Sequence, residues 1–167
     1  RHGSNCLKGR QRMEKAVKQP DYDWSTSFPG VNREIVDSLG GSLIMAEAVG
    51  SRVTCNPAPV DTDEDWLVIT LVDPEPALTA AGFTQDGSPE FYTGNDAGGF
   101  RSWRKGDLNI VTTQDTEFFD RFMTATYLAK RFNLLRKEDR IALFQAVLYG
   151  VRTSNLEPEP WTPANEV

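Results

Sequence analysis

The sequence predicts an α+β domain, with a mixed β-sheet, flanking helices and a helical C-terminal part. Three observations carry that expectation. Two apolar segments of strand length, "SLIMAEAV" and "DWLVITLV", are bounded by glycine and proline, and the second is rich in β-branched residues. A third apolar segment, "LNIVTT", follows later in the chain. Beyond residue 115 the apolar residues recur at helical spacing, so strands are followed by closing helices.

The elements follow in order. "RHGSNCLKGRQR" has no periodicity and reads as a tag or a disordered lead-in, and the irregular arm continues through "PDYDWSTSFP" to residue 30. Val31, Ile35, Val36 and Leu39 then fall on one helical face until Gly40-Gly41 stops the helix. The first strand, "SLIMAEAV", closes at Gly50-Ser51, and a loop holding Pro57 and Pro59 leads to the second, "DWLVITLV". "PEPALTAAGF" is a short helix with proline at its start and glycine at its end. "EFYTGNDAGGFRSWRKGDLNIVTT" predicts a strand, a glycine-rich turn and a longer strand from about Phe100 to Thr112. Asp115 or Thr116 can cap a helix reaching about Phe132. Lys137 to Val151 forms a second, with Ile141, Leu143, Phe144 and Val147 on its apolar face. The tail "NLEPEPWTPANEV" holds too much proline and acid to pack as an element. The expected organisation is an arm over 1–30, a domain over 31–153 that turns helical from about 115, and a tail over 154–167.

Composition narrows the function classes. A chain of 167 residues, 39% hydrophobic and 25% charged, suits one soluble domain with a real core. Its net charge of -6 argues against broad, sequence-independent DNA binding, which needs a basic surface, and leaves room only for a local basic patch. No run approaches the roughly eighteen apolar residues of a membrane span, and no apolar signal-peptide core opens the sequence, so the expected location is cytoplasmic. Cys6 and Cys55 form neither a disulfide framework nor a zinc spacing, and Cys55 is expected to be a loop or core thiol. His2, the only histidine, receives no role.

The chemistry concentrates at "VDTDEDWLV". Side chains alternate along an extended chain, so Asp61, Asp63 and Asp65 share one face while Thr62, Glu64 and Trp66 take the other. Carboxylates spaced roughly 6 to 7 Å apart on one face repel each other unless a cation lies between them. Aspartate oxygens favour a hard ion such as Mg2+, or Mn2+ in its place, bound through one or two carboxylates together with substrate phosphates. Upstream, Gly50-Ser51 offers a small-residue turn whose backbone N–H groups and hydroxyl can approach phosphate, and Arg52 adds a fixed positive charge. A further acid, Asp107, precedes the apolar Leu108, Ile110 and Val111. Other cations within reach of a triphosphate are Arg101, Arg104, Lys105, Lys130 and Arg131.

Gly50-Ser51, a loop of about a dozen residues, Asp63-x-Asp65 before Trp66-Leu67-Val68, and a single later Asp107 together resemble the core of the DNA polymerase β-like nucleotidyltransferase superfamily. The resemblance covers roughly Val31 to Thr112, and the size is similar to minimal nucleotidyltransferases, including small ones of bacteria and their phages. It implies that Asp63 and Asp65 hold two divalent ions, that Asp107 binds the second ion and helps deprotonate the acceptor hydroxyl, and that Gly50 and Ser51 anchor the nucleoside triphosphate, ATP among the candidates. The implied reaction is in-line attack of a hydroxyl on the α-phosphate with pyrophosphate leaving. Glu64 stands where that superfamily usually carries an apolar residue.

Plainer readings stand beside these. "DTDED" on its own is a solvated or calcium-binding loop, Gly50-Ser51 on its own is a turn, and Asp107 beside Gly106 can end a hairpin. Trp66, Phe118 and Phe119 are expected in the core, with Trp103 open. "RSWRKGD" fits either nucleotide contacts or a strand edge protected by cations. The sequence-level reading is a magnesium-dependent nucleotidyltransferase acting on an RNA 3′ end, a protein hydroxyl or a small molecule. Its rival is an inactive protein of the same fold that works by binding a protein partner, and loss of a carboxylate from the site is what would favour it.

Overall fold

The apolar runs form strands whose burial depends on their place in the sheet: "WLVIT" is buried throughout, whereas of "LIMAEAV", at the sheet edge, only Leu43 and Val49 are buried. The structure, a computed structural model, describes residues 23–60, 62–86 and 99–150. Helix α1 (Arg33–Leu39) leads into strand β1 (Leu43–Val49), a single helical turn α2 (Ser51–Thr54) and strand β2 (Glu64–Thr70). Helix α3 (Glu75–Ala80), the short strand β3 (Thr84–Asp86), strands β4 (Phe100–Lys105) and β5 (Leu108–Thr113), and helices α4 (Thr116–Arg131) and α5 (Lys137–Tyr149) complete the order.

The five strands lie in the order β1-β2-β5-β4-β3. The β2–β5 pair is parallel and the other pairs are antiparallel, so the sheet is mixed. Central β2 alternates between two cores, which is why "WLVIT" is apolar almost without a break. Trp66 and Val68 pack with Trp103 and Ile110 beneath Ile35, Val36 and Leu39 of α1 and Leu78 of α3. Leu67 and Ile69 pack with Val111 beneath Phe119, Phe122 and Ala125 of α4 and Phe144 and Leu148 of α5. Each such large apolar side chain contributes about 1.5–3 kcal/mol of burial. Helices on both faces of a mixed sheet give the α+β architecture expected from the sequence.

Local chemistry sets the helix ends. Asn32 accepts the Glu34 N–H at 2.9 Å and starts α1 at Arg33, two residues after the first apolar position. The Asp115 carboxylate accepts the Glu117 and Phe118 N–H groups at 2.8 and 3.2 Å. Gly150, at φ +73°, ends α5 at Tyr149, short of Val151. Among the described residues no helix is long and apolar enough to cross a membrane.

The single long strand expected from Phe100 to Thr112 is instead the β4–β5 hairpin. Gly106, at φ +57°, reverses the chain and puts Lys105 opposite Leu108. Strand β3 has no counterpart among the sequence expectations, because its three side chains are all exposed and leave no apolar pattern. Trp103 is core, 1% exposed, with its indole N–H donating to the Thr112 hydroxyl at 2.9 Å. Trp66 and Phe119 are buried, and Phe118 stacks on Phe100 with ring centroids 4.9 Å apart. Cys55 is buried, its sulfur accepting from Arg140 at 3.1 Å. The strand expected within "EFYTG", Asp61, most of the N-terminal arm and the C-terminal tail lie outside the described residues.

Candidate functional site

Strand β1 ends where it meets an acid of β2. The antiparallel register places Val49 opposite Asp65, so the next residue, Gly50, passes directly over the Asp65 side chain. A Cβ on Gly50 would lie 2.0 Å from Asp65 Oδ2, closer than any non-bonded contact allows, and Gly50 sits at φ +75°. Only glycine meets both demands. The Gly50 carbonyl then accepts the N–H groups of Val53 and Thr54 at 3.2 and 3.0 Å, and the Thr54 hydroxyl at 3.0 Å. The expected turn is therefore the start of α2, and it delivers Ser51 to the same cleft as Asp65.

That cleft encloses about 460 Å³ between the sheet and α5. Its sheet wall carries Asp63, Asp65, Ser102, Arg104 and Asn109, and Asp86 of β3 reaches it from the edge. Across from them stand Lys137, Arg140, Ile141 and Phe144 of α5. The wall is coherent because the register runs Asp65 to Asn109 to Arg104 across β2, β5 and β4, placing all three on one face. The Asn109 amide donates to Asp65 Oδ1 at 2.8 Å, and Arg104 donates to Asp63 Oδ2 at 2.8 Å.

Burial raises the Asp65 pKa above the ordinary carboxylate range, the Asn109 hydrogen bond opposes that rise, and the like charge of Asp63 adds to it. Glu64, one residue earlier, faces the other way and shifts the other way. Its carboxylate accepts from Asn32 Nδ2 at 2.9 Å and Trp66 Nε1 at 2.7 Å, and these bonds, Asn32 first, lower its pKa. The polar residue in the middle of the motif is thus a buttress for α1 and the Trp66 indole.

A lowered folded pKa contributes stability that is present above the unfolded value and lost as pH falls through the folded one. Glu64→Gln keeps the acceptor oxygen and loses its charge. Water screens this largely solvated carboxylate, so the variant is expected to be less stable than wild type by at most about 0.5 kcal/mol at neutral pH. The gap should close as pH falls through the folded Glu64 pKa, which melting curves across the acid range would follow.

Of the residues singled out from sequence, Gly50, Ser51, Asp63, Asp65 and Arg104 come together. Arg52 does not line the cleft. Its guanidinium donates to the Thr62 carbonyl and ties α2 to the approach of β2. Asp107 is also displaced, because the hairpin turn takes residues 106 and 107 and leaves the Asp107 side chain exposed. Its carbonyl accepts the Glu64 N–H at 2.8 Å, and the residue that the parallel register sets beside Asp65 is Asn109. Among the described residues no three His, Cys, Asp or Glu side chains gather as a metal-binding group.

Other cations are committed elsewhere. Arg101 pairs with Asp73 and Glu75, and Lys105 with Glu34. Lys130 and Arg131 occupy the last turn of α4 and are not part of the cleft wall. Lys137, Arg140, Asn109 and Asp86 join the cleft without having been singled out by the sequence. Asn109 was legible in principle, since it shares parity with the position of Asp107 and lies one step further into β5.

Asp63 and Asp65, at alternate positions on one face, can hold a single Mg2+ that completes its shell with phosphate oxygens and water. A two-ion arrangement lacks its third acid among the described residues, because an amide stands beside Asp65 and no three acids of the cleft gather as a metal-binding group.

No protein-family model matches the chain. No curated protein matches it in sequence. Among solved structures, it is similar to the conserved protein GrpB from Enterococcus faecalis, with 17% identity and a TM-score of 0.48 over 78% of this chain and 92% of that one. The functional reading therefore rests on the cleft.

Proposed function

We propose that the cleft binds a nucleoside triphosphate as its magnesium complex and transfers the nucleoside monophosphate to a hydroxyl acceptor, with pyrophosphate leaving. The observation that carries this reading is the close approach of Gly50 to Asp65, with room for no side chain between them. It sets a small-residue turn and a part-buried acid on one wall, the pairing that phosphate and its metal require.

Each residue has a role in that reading. Ser51 presents its hydroxyl to the phosphates, and Lys137 offers positive charge from the opposite wall. Asp63 and Asp65 hold the ion, with Asn109 fixing the Asp65 carboxylate by the 2.8 Å amide hydrogen bond. Bound magnesium supplies charge neutralisation on the triphosphate and makes the α-phosphate more open to attack. Apolar Phe100, Ile141 and Phe144 at the cleft wall suit the nucleobase. The acceptor is an RNA 3′ end, a protein or a small molecule. Magnesium-dependent release of pyrophosphate from one of the four nucleoside triphosphates, scored against pools of each acceptor class, tests the transfer. Label from the α-phosphate should appear on one class.

Asn109 favours a second reading, nucleotide binding without turnover in service of a protein partner, since an amide stands where a third acid would complete a two-ion site. Asn109→Asp tests the position on which this second reading rests. The variant should bind two Mn2+ ions per chain where wild type binds one, as counted by titration with electron paramagnetic resonance of free Mn2+. An unchanged count of one would mean that this position does not face the ion.

A further inference from the structure

We infer that Arg104 is an exchangeable counter-ion: it neutralises Asp63 while the cleft is free and passes to the triphosphate when a divalent cation takes its place. The inference rests on the nucleotide reading of the cleft and assigns within it the residue that meets the phosphates.

Geometry singles out Arg104 among the cations of β4. It stands opposite Asn109, itself opposite Asp65, so its stem rises from the same sheet face two strands away. From there the guanidinium reaches back over β5 to Asp63 Oδ2 at 2.8 Å. Arg101 and Lys105 differ from it in parity, and both make their ion pairs with other acids. The guanidinium thus occupies the neighbourhood of Asp63, one of the two acids that an ion would need.

The pair is built to part. The Arg104 and Asp63 side chains are 43% and 41% exposed, so water screens the attraction and little is lost when partners change. A divalent ion outcompetes a singly charged guanidinium for a carboxylate whose like-charged neighbour, Asp65, stands on the same face. Arginine released from Asp63 keeps a planar fork of donors matched to phosphate oxygens, and in the cleft the triphosphate is the only new anion. Charge is conserved in the exchange: the ion replaces the guanidinium on the aspartates, and the guanidinium replaces water on the phosphates. Arg104 would then make the cleft bind metal weakly alone and strongly together with a triphosphate.

The test uses Mn2+ alone, sodium tripolyphosphate alone, and the two together, each titrated calorimetrically into wild type, Arg104→Gln and Asp63→Asn. In Arg104→Gln, Mn2+ alone should bind about two- to fivefold more tightly, because Asp63 has lost its competitor. Mn2+ with tripolyphosphate should bind at least about tenfold more weakly in the same variant. Asp63→Asn should take tripolyphosphate without metal about two- to fivefold more tightly than wild type, because its arginine is unpaired. Opposite signs for metal and phosphate in one variant are what a simple surface ion pair would not produce.

If Arg104→Gln binds Mn2+ no more tightly, or keeps wild-type affinity for the tripolyphosphate complex, the exchange is overturned while the nucleotide reading stands. If wild type itself binds no Mn2+–tripolyphosphate, the nucleotide reading falls and takes the exchange with it.

Discussion

Gly50→Ala is expected to destabilise the protein by about 2–4 kcal/mol and to remove nucleotide binding, the largest effect predicted for any single methyl group in the site. Two costs add. The backbone at φ +75° and ψ -169° lies in a region that is essentially reserved for glycine. The added methyl would also meet Asp65 Oδ2 at 2.0 Å and the Asp65 Cβ and Cγ at 2.7 Å. Rotating the aspartate cannot relieve the clash, because its own Cβ is part of it. Either β1 shifts against β2, breaking the Val49–Asp65 register, or the acid leaves the cleft. Urea unfolding of the variant beside Gly106→Ala separates the two costs. Gly106 has a positive φ, but a methyl group there would meet nothing within 4 Å, so its substitution should cost only the backbone strain, about 1 kcal/mol.

Asp65→Asn should reverse the usual relation between a site and its stability. Metal-dependent nucleotide binding is expected to fall by about a hundredfold or more, since one of the two ion ligands loses its charge. The fold should lose nothing, because the asparagine can turn its carbonyl oxygen to the Asn109 amide and keep that hydrogen bond. The sign of the pH dependence follows from the raised Asp65 pKa. A group with a raised folded pKa contributes stability below its unfolded value and loses it as pH rises through the folded one. Wild type therefore carries a cost at neutral pH that the variant lacks, of up to about 1 kcal/mol. Melting curves of the two proteins should coincide in strong acid and separate in favour of Asp65→Asn as pH rises. A variant less stable than wild type at neutral pH would contradict the desolvation of Asp65.

Much of this is legible in the sequence, for physical reasons that differ by element. The β2 segment declares itself because a strand buried on both faces is apolar at every position from Trp66 to Ile69. Helix α4 is bounded by Asp115, whose carboxylate takes two N–H groups of the first turn. Asp63, Asp65, Gly50 and Ser51 can be grouped because strand parity and a glycine turn are local properties.

What escapes a sequence reading depends on non-local pairing. Backbone preference leaves "RSWRKGDLNIVTT" open between one unbroken strand, which would carry Asp107 to the site, and a hairpin turning at Gly106-Asp107, and only the pairing of the strands decides for the hairpin. Once the chain turns at Gly106, register alone decides that Asn109 meets Asp65 and Arg104 joins them. Lys137 and Arg140 approach from a helix about seventy positions away from Asp65, and no spacing rule links them. Arg52 is adjacent in sequence to the glycine turn, yet the helical twist of α2 carries its side chain to the Thr62 carbonyl.

The central claim is that the wall of Asp63, Asp65, Gly50 and Ser51 receives a magnesium-bound nucleoside triphosphate. Its most direct test is calorimetric titration of each of the four nucleoside triphosphates into the wild-type protein, first with Mg2+ and then with the metal chelated. Binding of at least one of them at one per chain, lost on chelation, is the predicted result. Absence of binding by all four, with Mg2+ or with Mn2+ in its place, would contradict it.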